Sequence, residues 1–451
     1  MQKSPNQNIY PITMNVNSRA HLEIGGCSAI ELSSKFGTPL YIIDEDTLRK
    51  TIQDYKLQFS SKYEDSLVLY AAKSFVCESI CHILHEEGIG IDVVSGGELY
   101  LALKAGIPSS KIYFNGNNKS KEEIVLAIDN EIGAIIVDNF YELQILNKIA
   151  TSKSKSCPIM LRITPGIECH THEYIKTGQI DSKFGFDLTQ IEEAVRQITS
   201  KYKKLDLQGL HAHIGSQIFE LDSYADLVSI LLEQYAKIKN DYGLELTKIN
   251  VGGGLGIKYT EEDQPPHISQ VASIISRSIN ENASKLSLEK PMLLLEPGRS
   301  IIGPSGVTLY EIGSIKEVPG IRKYVSVDGG MADNPRPAMY QSVYTACVAN
   351  KMLEKNKEVV TVAGRFCESG DILIKDIELA KTVSGDILAV FATGAYNYSM
   401  SSNYNMVPRP ACVIVKDGNA DIIIERESYQ DLIAHDKVPS RLLKYKNMPV
   451  V

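Results

Sequence analysis

Lys73 closes the apolar run Val68-Leu69-Tyr70-Ala71-Ala72, and a helix-like segment follows it. A lysine at the end of a buried strand is desolvated, which favours the neutral amine that attacks carbonyls. Lys73 is therefore the first candidate for a Schiff base, against the plainer assignment of a surface lysine capping a strand. Glu296 stands in the run Leu293-Leu294-Leu295-Glu296-Pro297-Gly298. A carboxylate buried there is costly unless it faces a cation or a protonated ring nitrogen, with an ion pair to Arg299 or Lys73 as the structural alternative. The stretch Val251-Gly252-Gly253-Gly254-Leu255-Gly256 lacks the final glycine of a dinucleotide fingerprint, since Ile257 occupies that place. Three consecutive glycines still let backbone N–H groups approach an anion closely, which suits a phosphorylated cofactor; a flexible turn is the alternative. His213, just ahead of Gly215-Ser216, is placed to stack on or hydrogen-bond to a ring. Ser216 can donate to a phosphate, whereas His211 reads as a satisfied core histidine.

Such residues need a scaffold that brings them together. From residue 66 to about 298, apolar runs such as SLVLYAAK, GIDVVS, KIYFNG, AIIVD and PIMLRI alternate with helix-period segments such as KSKEEIVLAIDN. Eight alternations predict an α/β chain built on a parallel, TIM-like (β/α)8 barrel over residues 45–300, in preference to a doubly wound sheet. Barrel chemistry gathers at the C-terminal strand ends, where Lys73, Asp92, Ser95, Asn115, His211, His213, the glycines and Glu296 fall. Short strands with turn signals then predict a mostly antiparallel β domain from residues 1–44 and 301–451, into which the barrel is inserted. A Schiff-base lysine, a glycine-lined phosphate site and a carboxylate aimed at a ring nitrogen point together to pyridoxal phosphate. The carboxylate keeps that nitrogen protonated, which favours chemistry through a carbanion.

The composition narrows the partners. With 451 residues, a net charge of -8 and a pI near 5.7, the chain is a poor match for nucleic acid or an anionic membrane, leaving small molecules. Its first residues contain no apolar core of signal-peptide length and its apolar runs are too short to span a bilayer, so a cytoplasmic protein is expected. Eight cysteines without a paired framework fit reduced thiols. Cys77, Cys81, His82 and His85 follow the turn of one helix and read as packing residues, so no metal is expected.

As a set, YAAKSF, IDVVSGGEL, RITPGIECHTHEYIKTGQIDSKFGF, HAHIGSQ, VGGGLG, EPGR, DGGMADNPRPAMY, CESGD and GAYNYSMSSNYN resemble the meso-diaminopimelate decarboxylases. These are pyridoxal-phosphate enzymes with an alanine-racemase-like barrel and a β domain, and the motifs cover nearly the whole chain in family order. The resemblance implies pyridoxal 5'-phosphate on Lys73, with His213 stacked on the ring and Glu296 at its nitrogen. It places Ser216, Gly254 and Tyr396 around the phosphate and Pro297, Gly298 and Arg299 in the same pocket. For substrate it implies Arg299, Arg336, Tyr340, Glu368 and Tyr396, and for proton donor Cys367, delivered from the other subunit of a homodimer.

A substrate with an amino acid at each end demands recognition of a distal carboxylate and ammonium, which arginine forks and Glu368 can supply. The implied reaction converts meso-2,6-diaminopimelate to L-lysine and carbon dioxide, the last step of lysine biosynthesis. A decarboxylase of ornithine, arginine or a carboxyspermidine-type substrate is the nearest alternative, and HTHEYIKTG and CES with Arg336 favour the two-headed substrate. A racemase fits less well with a carboxylate at the ring nitrogen. A noncatalytic cofactor-binding protein fits less well with the long β domain. Met406-Val407 departs from the family's more polar loop, and YAAKSF from its more common asparagine-containing form.

Overall fold

Along a strand every second side chain faces the same way, so a run buried on both faces shows an inner set and an outer set. The computed structural model of the protein, which describes residues 3–167 and 182–445, realises this pattern as a closed barrel. Its parallel strands are β1 (Ser66–Ala71), β2 (Gly90–Val93), β3 (Ile112–Phe114), β4 (Ala134–Val137), β5 (Cys157–Thr164), β6 (Leu205–His211), β7 (Lys248–Asn250) and β8 (Met292–Leu295). Pairing of β8 with β1 and of β4 with β5 closes the ring. The predicted eight-stranded barrel is therefore present.

Inside, Leu69, Tyr113, Ala134, Ile136, Met160 and Leu294 form an apolar plug. Two residues further along the strands the inner set turns polar: Asp92, Asn115, Asp138, Arg162, His211, Asn250 and Glu296, all buried. The register fixes this layer, since His211 is level with both Arg162 and Asn250. The plug supports the barrel from below, and the polar layer forms the floor of whatever binds above it.

Outer helices follow the strands, and polar side chains fix their starts. Ser120 and Glu123 form a capping box at helix Lys121–Asp129, and Asn139 caps helix Phe140–Ser152. Ser95, expected among rim residues, instead caps helix Gly96–Lys104 by accepting from the Glu98 N–H. Helix Glu45–Ser60, which precedes β1, packs against both β1 and helix Ile268–Lys285 and so covers the barrel wall behind β8.

Past the barrel, strand Gly306–Val318 pairs antiparallel with Arg322–Val327, Ile387–Phe391 and the N-terminal strand Leu40–Asp44. Leu40–Asp44 also runs parallel to Ala411–Lys416. N-terminal and C-terminal segments thus share one sheet that is antiparallel except at two pairings. Strands Ile372–Ala380 and Asn419–Ile424 were not read from the sequence: charged Lys375 and Asp376 interrupt the first, and the second keeps no side chain fully buried.

Candidate active site

Lys73 lies two residues beyond the end of β1, on a helical turn, Ala72–Ser74. The sequence reading buried this lysine at a strand end; the structure exposes its side chain to a cavity while Ala72 and Ser74 are buried. Desolvation of the amine must then come from what fills the cavity. The turn itself is fixed from both sides. Ser74 Oγ donates to the Ala71 carbonyl (2.7 Å) and the Tyr70 hydroxyl to the Phe75 carbonyl (2.6 Å). From the β domain, Tyr396 N–H and Ser399 Oγ both donate to the Ser74 carbonyl at 2.8 and 3.0 Å. Gly298 permits this approach, since a Cβ there would stand 3.0 Å from both Ala71 Cβ and Ser74 Oγ.

The cavity, about 450 Å³, is lined by Lys73, His213, Ser216, Glu296, Arg299, Arg336, Tyr340 and Tyr396, eight of the residues named from sequence. Gly254 and Gly298 line an adjoining niche that also reaches Lys73 and Tyr396. Pro297 stands behind the wall, where its carbonyl accepts the Ala71 N–H at 3.1 Å. Cys367 and Glu368 do not line the cavity; both are exposed on a β-domain loop. Residues 170–178, the HTHEYIKTG stretch, lie outside the described residues.

Glu296 is the most elaborately held group. Its Oε1 accepts from Asn250 Nδ2 (2.8 Å) and Asn115 Nδ2 (3.0 Å), and its Oε2 is 3.0 Å from His211 Nε2. The ion pair with Arg299 or Lys73 considered from the sequence is not formed, and His211, read as a core histidine, is instead Glu296's partner. The missed signal was the inner-face register that His211 shares with Asn250. Burial works against ionisation of Glu296, yet the hydrogen-bonded His211 and the Lys73 charge outweigh it and hold the carboxyl down at about 2. Asp92, joined to the same Asn115 amide at 2.6 Å, goes the other way: burial and the neighbouring Glu296 charge raise it well above the usual range. The two carboxyl groups of the floor are thus pushed in opposite directions.

These residues fit pyridoxal phosphate. With two donors on Oε1 and one on Oε2, one acceptor position of Glu296 remains for a ring N–H. His213 accepts the Gly253 N–H on Nδ1 at 3.3 Å, and burial, then Lys73 and Arg162, pushes it well below the ordinary histidine value, leaving a neutral ring to lie against a cofactor. The glycine loop is a close cradle: a Cβ on Gly253 would fall 2.2 Å from the Glu296 carbonyl, and one on Gly254, at φ +114°, 2.7 Å from the Gly215 carbonyl. Arg299 completes the niche by donating to Ser216 Oγ through Nη2 at 2.8 Å.

The Cys367 loop is tied to the loop that presents Arg336. Asp371 accepts N–H groups from both Met331 (2.7 Å) and Phe366 (2.8 Å), and Asn405 accepts the Cys367 N–H at 2.9 Å. The departure at Met406-Val407 therefore lies next to the residue that positions Cys367. Among the described residues no cluster of His, Cys, Asp or Glu is arranged to hold a metal ion, and no helix is long and apolar enough to cross a membrane.

Fold and site together define a pyridoxal-dependent decarboxylase. Residues 45–303 match the family described as pyridoxal-dependent decarboxylase, pyridoxal binding domain. Diaminopimelate decarboxylases from Synechocystis sp. and Bacillus subtilis are 51% and 46% identical to this chain, over 98% and 94% of it and 95% and 97% of their own lengths. The solved diaminopimelate decarboxylase of M. jannaschii in complex with L-lysine is 36% identical, with a TM-score of 0.88 over 96% of this chain and 99% of its own. The chain belongs to the diaminopimelate decarboxylase family.

Proposed function

We propose that the chain removes carbon dioxide from one end of meso-2,6-diaminopimelate to give L-lysine, with the roles assigned below. The observation that supports this substrate is the pair Arg299 and Arg336, both buried at the cavity and without a carboxylate partner among the described residues. A buried guanidinium without a carboxylate partner is a site for an anionic ligand group, and a diamine-forming decarboxylase has no distal carboxylate to offer it.

Pyridoxal phosphate, when bound, supplies an electron sink that takes up the electron pair released as the carboxylate leaves. Lys73 would hold it covalently, with His213 against its ring, Glu296 to receive its ring N–H, and Ser216, Gly254, Gly298 and Tyr396 to hold its phosphate. The ionised Glu296 keeps a proton on the ring nitrogen. Arg299 and Arg336, with Tyr340, bind the distal carboxylate, and Glu368 binds the distal ammonium. With substrate bound in its place, the Lys73 amine would be free to carry a proton within the cavity. After carbon dioxide departs, the Cys367 thiol gives its proton to the α-carbon.

Cys367 and Glu368 are exposed and do not line their own chain's cavity, and Tyr404 (40%) and Met406 (56%) nearby are exposed as well. Apolar groups left bare around a catalytic thiol suit a second copy of the chain, so the site is completed across a homodimer. Residues 45–300 form the cofactor-binding unit in this reading, and residues 1–44 and 301–451 the unit that delivers Arg336, Cys367 and Glu368. A cytoplasmic setting accompanies it, as scattered cysteines suit a reducing compartment.

Subunit mixing tests the shared site. Lys73→Ala and Cys367→Ala are each expected to be nearly inactive. After co-refolding in equal amounts they should recover about a quarter of wild-type lysine formation, because half the dimers carry one intact site in two. No recovery, with heterodimers verified by mass, would place Cys367 in its own chain's site or outside the reaction.

A further inference from the structure

Tyr259 stands where the barrel meets the β domain, on the loop after β7, and no role follows for it from the chemistry above. Its phenol oxygen receives Arg299 Nη1 at 2.7 Å and Arg336 Nη1 at 2.8 Å. The two arginines come from different parts of the fold, one from the turn after β8 and the other from helix Arg336–Tyr340. Both arginines donate to this oxygen, and among the described residues none accepts a proton from it. Two buried cations converge on one oxygen with no carboxylate between them.

We propose that Tyr259 is the internal counter-ion of the Arg299–Arg336 pair: an ionised phenol that holds both guanidiniums in place and takes up a proton when a ligand carboxylate arrives. This rests on the reading of those arginines as the substrate's carboxylate site. The other groups facing Tyr259 agree with such a role. Its N–H is tied to Asp263 Oδ2 at 2.9 Å and its carbonyl to Thr345 Oγ1 at 2.8 Å, while the Tyr344 ring meets it edge-on at 5.3 Å. Tyr344 also receives Arg336 Nη1 at 2.7 Å within the β domain, and the Arg336 and Thr345 bonds to Tyr259 cross the junction to the barrel. Glu262, Asp263 and Tyr340 line a second hollow of about 390 Å³ that reaches Tyr259 and Arg336 and gives solvent protons access. Burial pushes the phenol up, but Arg299 and Arg336 together bring it below the ordinary tyrosine value.

The sign of the linkage follows. A carboxylate bound at the arginines neutralises part of the charge that favours phenolate, so ligand binding raises the phenol's pKa and draws in a proton. Tyr259 is thus a positioning residue acting through the arginines.

The chain has 23 tyrosines and no tryptophan, so the ultraviolet tyrosinate band can be followed without overlap from indole. In the holoenzyme, wild type should show one tyrosine ionising ahead of the rest, absent in Tyr259→Phe, and millimolar L-lysine should shift that ionisation upward. Tyr259→Phe should also raise KM for diaminopimelate roughly tenfold, with a smaller change in kcat and unchanged cofactor content. The lysine effect needs only wild-type protein, which covers a variant that fails to fold. If wild type has no early-ionising tyrosine, the counter-ion is overturned; if it has one that L-lysine does not move, the link to the substrate site is overturned. Carbon dioxide release from diaminopimelate, measured in parallel, reports on the decarboxylase reading independently of either result.

Discussion

Lys73→Ala is expected to lower decarboxylation by roughly 10⁴-fold or more, because it removes the one amine that lines the cavity among the described residues and can bond the cofactor covalently. The fold should survive. Lys73 makes no packing contribution to the barrel core, its side chain being exposed, and its turn is held by Tyr70, Ser74, Tyr396 and Ser399 rather than by the lysine. Borohydride reduction followed by peptide mass analysis gives an independent readout: the cofactor's mass should appear on the peptide containing Lys73 in wild type and nowhere in the variant. Turnover near the wild-type rate in cofactor-loaded Lys73→Ala would remove this lysine from the mechanism.

Glu296→Gln is expected to cost roughly 10²–10³-fold in kcat while leaving a folded protein, the range seen when one preorganised charge-stabilising group is lost. A glutamine accepts through one oxygen only, whereas Glu296 takes Asn115, Asn250 and His211 on two. One of those buried donors then loses its partner, at a cost of about 1–3 kcal/mol in stability. The pH dependence has a definite sign. The carboxyl is held at about 2 in the fold, below the ordinary unfolded value of about 4.3, so its charge stabilises the native state above that value. That contribution fades as pH falls from about 4.3 toward 2 and is absent from the glutamine variant. Chemical denaturation at neutral and acid pH should show the two proteins converging in stability as the solution is acidified, and a constant gap would mean that Glu296 is not the ionised group.

How far such a site can be read beforehand depends on what carries each residue. Lys73, His213, Ser216, Glu296 and Arg299 sit at strand ends whose apolar runs are unambiguous, and the closure of eight parallel strands brings them to one rim. Arg336, Tyr340 and Tyr396 reach the same cavity from the β domain; only the family resemblance pointed to them, because their approach depends on long-range contacts such as Tyr396 N–H to the Ser74 carbonyl. His211 is buried and hydrogen-bonded as a core histidine would be, but its partner Glu296 was not foreseen, because a histidine within an apolar strand looks alike whether it faces the outer core or the barrel's interior. Its level pairing with Asn250 decides the matter, and register is a property of neighbouring strands. Tyr259 carried no sequence signal for a related reason: its significance arises where two arginines, 37 residues apart in the chain, meet at one oxygen. The strand Ile372–Ala380 escaped notice because charged, exposed residues such as Lys375 and Asp376 break its apolar run.

The most direct measurement is carbon dioxide release by the purified, pyridoxal-phosphate-loaded protein offered meso-diaminopimelate, lysine, ornithine and arginine separately. Release from diaminopimelate alone, with L-lysine as the product, is the expected result and requires a site that recognises the distal amino acid. Release from ornithine or arginine instead would contradict the roles given to Arg336 and Glu368, and release from none would contradict the decarboxylase account itself.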